Sequence, residues 1–161
     1  MSATTPTRLL FVCLGNICRS PAAEGVFLHR LAQEGLNDHF AVDSAGTGGW
    51  HVGKPADRRM REAAERRGIL LPSRARQLSL RDLNAFDRIL TMDADNLRAV
   101  QELRRRAAEP RAAVEPLVRY CRRWQVDAVP DPYYGGQEGF EQVLDLLEDA
   151  CNGLLESLRP R

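Results

Sequence analysis

Apolar and polar positions follow one another in blocks along the chain, and the period of each block predicts a secondary-structure element. Residues 8–13, RLLFVC, form a continuous apolar run of strand-forming residues, which is typical of a strand buried on both faces. Over residues 21–34 the apolar positions instead recur every four residues. This spacing predicts an amphipathic helix, with Pro21 in its first turn and Gly35 at its end.

The same succession of strand and helix patterns continues along the rest of the chain. Further strands are predicted within residues 39–46, 86–93 and 112–118. Further helices are predicted over residues 56–68, 94–107 and about 140–158. The last strand is the weakest prediction, because Pro116 cannot donate to a ladder. A loop rich in proline and glycine, VPDPYYGGQEG, fills residues 129–139 before the last helix.

Strands that alternate with helices indicate a parallel sheet covered on both faces. We therefore predict a single α/β domain over residues 1–161, with a four-stranded parallel sheet, helices on both faces, and flexible residues 1–6. Ligands of such folds bind beyond the carboxyl ends of the strands. The segment between the first strand and the first helix, residues 13–20, lies at such an end.

Composition narrows the classes of function. Hydrophobic residues make up 43% of the 161 positions, enough for one globular core. The 23 lysines and arginines nearly balance the 22 acidic residues, so no overall field favours nucleic acid or a membrane surface. Arginine-rich stretches at 58–67 and 104–106 are interpreted as solvated helix faces. Because the sequence contains neither a membrane-spanning segment nor a signal peptide, we predict a cytoplasmic protein.

The four cysteines are too few for a disulfide framework in a chain of this length. Cys13 and Cys18 have no second close pair, and the three histidines are scattered, which argues against a zinc site. We therefore expect no metal and no cofactor, and interpret Cys121 and Cys151 as packing residues. A reversible disulfide between Cys13 and Cys18 is a hypothesis.

Residues 13–20, CLGNICRS, have the composition of an anion-binding loop. A strand-to-helix turn points backbone N–H groups inward, and the following helix adds its positive end. Gly15 and Asn16 tolerate the backbone angles that such a turn needs. Arg19 offers a planar fork for two phosphate oxygens. Cys13 in the same field is favoured as a thiolate nucleophile, although a cysteine that ends a buried strand is also common core packing.

VCLGNICRSPAAEGVF resembles the phosphate-binding loop of the low-molecular-weight protein tyrosine phosphatases. VDSAGTGGWHVGKPADRR resembles the second-strand loop of that family, ARQL and ILTMDADNLRAV its middle section, and DPYYGG its acid loop. The likeness runs in order through nearly the whole chain. C-x5-R alone is shared with other phosphatases and some arsenate reductases, whereas its combination with a late D-P-Y-Y is far more specific. The resemblance implies the phosphotyrosine phosphatase I-like fold.

The resemblance also implies roles for individual residues. Cys13 matches the nucleophile, Arg19 the clamp on the phosphate, and Asp131 the general acid and base. The phosphate-binding residues that it implies are Leu14, Gly15, Asn16, Ile17, Cys18 and Ser20. The residues that it implies along the substrate ring are Trp50, Tyr133 and Tyr134. Ser44 matches a serine that supports the loop, and Asp93 a position of lesser role.

One position departs from the family pattern. Members commonly carry a histidine a few residues before ARQ that bonds to the loop asparagine, and LPSRARQ has Ser73 there instead. We expect the polar support of the loop to be rearranged or weaker as a result. Catalysis should survive, because no proton transfer in the implied mechanism needs that histidine.

The implied function is hydrolysis of phosphotyrosine through a cysteinyl phosphate, by a monomer or weak dimer that acts on phosphotyrosine-containing proteins or small aryl phosphates. Two alternatives stay open. An arsenate reductase on the same fold would need further cysteines to relay a disulfide, and residues 70–95 contain none, although Cys18 or external glutathione could serve instead. A phosphotyrosine-binding module without turnover would need neither Cys13 nor Asp131. Asp131 before Pro132 is also an ordinary turn residue.

Overall fold

A computed structural model describes residues 5–133 and 135–160 of the chain. In this part the strands are β1 (Thr7–Cys13), β2 (Phe40–Gly46), β3 (Arg88–Thr91) and β4 (Ala113–Pro116). They form one sheet in the order β2-β1-β3-β4, and each neighbouring pair is parallel. The predicted four-stranded parallel sheet is confirmed. Of the N-terminal residues expected to be flexible, 1–4 lie outside the described residues.

The described helices are α1 (Arg19–Glu34), α2 (Arg58–Glu65), α3 (Leu80–Ala85), α4 (Ala94–Arg106) and α5 (Gln137–Leu158). Two short 3-10 turns cover Asn37–His39 and Leu117–Tyr120. Neither these turns nor α3 was predicted, because each spans fewer than two helical turns, too few for an apolar position to recur repeatedly. The capping box between Ser79 and Asp82 at the start of α3 was the available signal.

Side chains of β1 alternate between two cores, which explains its continuous apolar run. Leu9 and Phe11 pack into the larger core with residues of α1, α2 and α5. Leu10 and Val12 pack into the smaller core with Leu83 of α3 and other residues of α3 and α4. Helices therefore cover both faces of the sheet, as predicted.

The end of α1 and the start of α2 are each fixed by a capping residue. Gly35 ends α1 with φ of 67°, a left-handed conformation that glycine adopts without strain. Asp57 begins α2 by accepting hydrogen bonds from the backbone N–H groups of Arg59 and Met60. The predicted start at residue 56 was therefore too early, and the helix ends at Glu65, before the predicted stop at Gly68.

Not every arginine in the predicted solvated faces is exposed. The Arg67 side chain is only 22% exposed and lies within 2.9 Å of both Glu141 and Asp145 of α5. Across the described residues, none of the helices has the length and apolarity needed to cross a membrane.

Candidate active site

The loop between β1 and α1 turns around the sulfur of Cys13. Asn16 has φ of 58°, the left-handed conformation expected of this position. Its backbone N–H donates to the Cys13 sulfur over 3.3 Å. The Ser20 hydroxyl lies 3.0 Å from the same sulfur. Two polar groups of the loop thus contact the sulfur of Cys13, a residue that is 3% exposed.

Carbonyl groups of the loop are bound by segments outside it. Cys13 accepts from the N–H of Thr47 (2.9 Å), Leu14 from Gly48 (2.9 Å) and Ile17 from Asp57 (2.7 Å). Gly46 approaches so closely that a Cβ there would lie 2.8 Å from the Leu14 carbonyl oxygen. Outward bonding of the carbonyls leaves the interior of the turn to N–H groups, an arrangement that binds anions.

The Asn16 side chain fixes the loop from behind. Its Nδ2 donates to the hydroxyls of Ser20 (2.7 Å) and Ser44 (3.0 Å), and its Oδ1 accepts from the backbone N–H of Arg76 (3.0 Å). The Ser44 hydroxyl in turn donates to Glu24 over 2.6 Å. Ser44 is thus in direct hydrogen-bond contact with the loop. A continuous chain of hydrogen bonds runs from a carboxyl group to the Cys13 sulfur.

Glu24 is a buried carboxylate that the sequence analysis did not single out. Burial raises its pKa above the ordinary value, although hydrogen bonds from Ser44 and Ser73 act in the opposite direction. Ser73, which stands where the resemblance implies a histidine, thus forms a hydrogen bond with Glu24. The available signal was a glutamate on the face of α1 that also carries Ser20, one helical turn away.

Arg19 is buried, with 3% of its side chain exposed. Its Nη1 donates to Asp93 (2.7 Å) and to the Val129 carbonyl (3.0 Å), and its Nη2 lies 3.6 Å from Asp131. Partial burial acts to raise the pKa of Asp93, but hydrogen bonds from the Asn96 N–H and Arg19 hold that pKa below its ordinary value. Asp93, expected to have a lesser role, is the carboxylate nearer to Arg19.

Asp131 lies in the loop between β4 and α5, and 42% of its side chain is exposed. Its Oδ1 accepts from the Tyr133 N–H over 3.0 Å, while its Oδ2 faces Arg19. The sequence offered a turn residue and a site residue as alternative interpretations of Asp131. In the structure Oδ1 closes the turn while Oδ2 lies at the site.

These residues surround a cavity of about 450 Å³ at the carboxyl ends of the strands. Its lining comprises residues of the loop and Arg19, together with Trp50, His51, Asp131 and Tyr133 from other segments. His51 was missed by the sequence analysis; its ring centroid lies 6.3 Å from that of Tyr133. Tyr134 lies outside the described residues.

Asn16, Ser20 and Cys18, which the resemblance implied as phosphate-binding residues, do not simply line this cavity. Asn16 and Ser20 lie behind the sulfur. Cys18 contributes to the cavity wall but also packs in the larger core, and burial raises the pKa of its thiol far above the ordinary value. Cys13 and Cys18 are both free thiols. The disulfide between them stays a hypothesis.

Comparisons with known proteins agree with this geometry. Residues 8–161 match the family described as low molecular weight phosphotyrosine protein phosphatase. A relative from Synechocystis sp. is 50% identical over 151 residues, which cover 94% of this chain and 96% of the relative. The low molecular weight protein-tyrosine-phosphatase of Streptomyces coelicolor is 44% identical, with 94% of this chain and 93% of the relative covered.

Solved structures extend the comparison to the fold. A protein tyrosine phosphatase from Entamoeba histolytica superposes with a TM-score of 0.87 at 40% identity, covering 94% of this chain and 96% of its own. A Drosophila arginine phosphatase superposes with a TM-score of 0.89 at 30% identity, covering 94% and 98%. With the matched residues spanning nearly all of the sequence, this chain belongs to the low molecular weight phosphotyrosine protein phosphatase family.

Proposed function

We propose that this protein hydrolyses phosphotyrosine in two steps through a cysteinyl phosphate. The observation that carries the proposal is the grouping of the Cys13 sulfur, the Arg19 guanidinium and the Asp131 carboxyl around one cavity. Phosphoryl transfer by this route needs a nucleophile, fixed positive charge around the phosphate and a proton donor for the leaving group. Each of the three residues supplies one of these requirements.

In the first step the Cys13 thiolate attacks phosphorus, and an S–P bond forms as the P–O bond to the tyrosine oxygen breaks. Arg19 and the N–H groups of the loop hold the nonbridging oxygens and offset their charge. Asp131 in its protonated form gives its proton to the departing oxygen. This transfer matters because the phenol of tyrosine has a pKa of about 10, so an unprotonated phenolate leaves slowly.

In the second step a water molecule attacks phosphorus, and the Asp131 carboxylate takes the proton of that water. The S–P bond breaks, and the sulfur leaves as a thiolate. The Ser20 hydroxyl and the Asn16 N–H, 3.0 and 3.3 Å from the sulfur, stabilise its negative charge. The enzyme returns to its starting state with inorganic phosphate as product.

The walls of the cavity favour an aromatic substrate. Leu14, Ile17, Trp50 and Tyr133 contribute to the walls, and the Trp50 side chain is 69% exposed and thus available to a ring. We therefore propose phosphotyrosine-containing proteins or small aryl phosphates as substrates. The predicted monomer or weak dimer and the predicted cytoplasmic location stay predictions from the sequence.

The experiment that tests the substrate class compares the purified protein on phosphotyrosine, phosphoserine and phosphoarginine, together with arsenate reduction in the presence of a thiol. Phosphotyrosine should be hydrolysed with the highest kcat/KM, and arsenate should not be reduced above the rate without enzyme. Faster hydrolysis of phosphoarginine would contradict the proposal, and so would catalytic arsenate reduction. Binding of phosphotyrosine without any turnover would support the binding-module alternative.

The mechanism predicts different losses of activity when the nucleophile and the proton donor are replaced. Cys13→Ser should abolish turnover while phosphate binding, measured by calorimetry, persists. Asp131→Asn should slow phosphotyrosine by roughly 10²–10⁴-fold and dinitrophenyl phosphate far less, because a good leaving group needs no proton. Asp127→Asn, an exposed aspartate of the same loop, is the control and should retain full activity. Full activity of Cys13→Ser would overturn the mechanism.

A further inference from the structure

We infer that Arg59 is a positioning residue for the proposed reaction, which holds the Asp131 turn in a fixed position relative to the phosphate-binding loop. The inference rests on the proposed function, because it concerns the proton donor of that reaction. Arg59 lies at the start of α2, outside the cavity wall, and 47% of its side chain is exposed. Its importance lies in the two segments that it joins.

On one side Arg59 binds the turn that carries Asp131. Its Nη2 donates to the Tyr133 carbonyl over 2.9 Å. Its guanidinium lies over the rings of Tyr133 and Phe140, 5.5 and 4.8 Å from their centroids. The Tyr133 N–H in turn donates to Asp131 Oδ1. Arg59 therefore contacts both Tyr133, whose N–H closes the Asp131 turn, and the buried Phe140 of α5.

On the other side Arg59 pairs with Asp57. The Arg59 Nε lies 3.2 Å from Oδ1 of this carboxylate, and the Nη2 lies 3.1 Å from Oδ2. Asp57 begins α2, and its backbone N–H donates to the Ile17 carbonyl over 2.7 Å. A continuous set of contacts thus runs from the phosphate-binding loop through Asp57 and Arg59 to the Asp131 turn.

The shape of the guanidinium explains why an arginine is needed at this position. Its fork of N–H groups reaches both oxygens of Asp57 while its central carbon lies over two rings, which a lysine ammonium cannot reproduce. An ion pair as exposed as this one contributes little to global stability. Its effect should instead be on geometry, since a displacement of about 1 Å at a reacting group costs roughly 10²-fold in rate.

Arg58 is a matched control. It neighbours Arg59 in the same helical turn, carries the same side chain, and is 82% exposed. Within the described residues it forms an ion pair with Glu62, one turn along α2. A general effect of removing positive charge from α2 would appear equally in Arg58→Met and Arg59→Met.

The test measures kcat/KM of the full chain on a series of aryl phosphates, from dinitrophenyl phosphate to phenyl phosphate. Arg59→Met should leave the first nearly unchanged and slow the second by roughly 10- to 100-fold, because only poor leaving groups need the proton donor. Arg59→Lys should give an intermediate loss, and Arg58→Met none. Asp57→Asn retains a helix cap but lacks the charge that orients Arg59, and should steepen the leaving-group dependence in the same direction.

Equal slowing of all substrates by Arg59→Met would show a merely structural role and overturn the inference. No slowing beyond that of Arg58→Met would do the same. Should Arg59→Met fail to fold by circular dichroism, an unchanged leaving-group dependence in Asp57→Asn decides against the inference. If Asp131→Asn steepens the dependence and Arg59→Met does not, the proposed function stands and the inference is wrong. A wild-type protein that hydrolyses no aryl phosphate would overturn both.

Discussion

At the scale of the residue, the site depends on side chains that each serve two partners. Asp93 caps α4 through Oδ1, which accepts from the Asn96 N–H, and binds Arg19 through Oδ2. Asn16 joins Ser20, which contacts the nucleophile, to Ser44. Because the protein itself fixes each of these groups from two directions, the loop has little conformational freedom to lose on binding phosphate, which lowers the cost of binding.

Glu24 predicts a specific dependence of stability on pH. Its pKa in the folded state is raised above the ordinary value of 4.5. The stability that it contributes is therefore complete below that value and is lost as the pH rises through the folded-state pKa. Glu24→Gln cannot ionise, so the free energy of unfolding of this variant should improve relative to wild type as the pH rises through that window.

Urea unfolding over a series of pH values measures this effect. A constant difference between Glu24→Gln and wild type at every pH would reflect altered hydrogen bonding alone and would contradict the prediction. Glu65→Gln, at an exposed position of α2, serves as the control and should follow the wild-type curve.

Residues adjacent in sequence were easier to predict than residues brought together by folding. Cys13 and Arg19 belong to one loop, whose composition suggested its chemistry. Asp57 and Arg59 carry no such signal, because their partners Ile17 and Tyr133 lie in other segments. Glu24 shares a helix face with Ser20, but its partner Ser44 also lies in another segment. Asp93 could have been weighed more heavily, since it ends the segment predicted to hold the third strand, at the edge where ligands bind.

At the scale of the element, the prediction succeeded where a hydrophobic period was complete. The apolar runs of β1 and β3 and the stripe of α5 are long enough to show their periods. The six residues of α3 are not, and its position depends on tertiary contacts: Arg76 pairs with Asp82 in its first turn while the Arg76 N–H holds Asn16. A short helix is thereby linked to the phosphate-binding loop.

Helix α5 packs against the 3-10 turn Leu117–Tyr120 at a position where only glycine fits. A Cβ on Gly153 would lie 1.9 Å from the Tyr120 carbonyl oxygen. Gly153→Ala should therefore lower the free energy of unfolding by about 1–3 kcal/mol, in spite of the better helix propensity of alanine. Thermal unfolding should show this as a fall in Tm of roughly 2–4 °C per kcal/mol.

Gly139 provides the comparison within the same helix. A Cβ there would lie 3.6 Å from the side chain of Pro132, an ordinary contact. Gly139→Ala should leave the free energy of unfolding unchanged or raise it by up to about 1 kcal/mol, and Tm should stay the same or rise accordingly. Equal losses of stability in Gly153→Ala and Gly139→Ala would mean that the contact between α5 and Tyr120 does not restrict the size of the side chain at position 153.

At the scale of the whole molecule, the site draws on segments that follow β1, β2, β3 and β4, all at one edge of the sheet. Phosphate should therefore bind the folded chain and not the unfolded one. At a concentration 100 times its Kd, it should add about 2.7 kcal/mol to stability, or roughly 5–10 °C in Tm. Cys13→Ser should show the same shift, because this variant retains the cradle.

Differential scanning calorimetry with sodium chloride at matched ionic strength separates this effect from screening. An equal rise in Tm with chloride would count against a phosphate-specific cradle. Arg19→Met should lose most of the shift, since the buried guanidinium is the principal fixed charge proposed to meet the anion.

The order of the strands in the sheet has a consequence for folding during translation. During synthesis β1 emerges first, yet it lies inside the sheet and pairs with β2 on one side and β3 on the other. The nascent Cys13 therefore has no Gly46 beside it, no Asp57 to hold its loop, and no Asp131 until most of the chain has been made. A ribosome-bound fragment would carry Cys13 without the segments proposed to complete its cradle and supply its acid, so we expect activity only when translation is nearly complete.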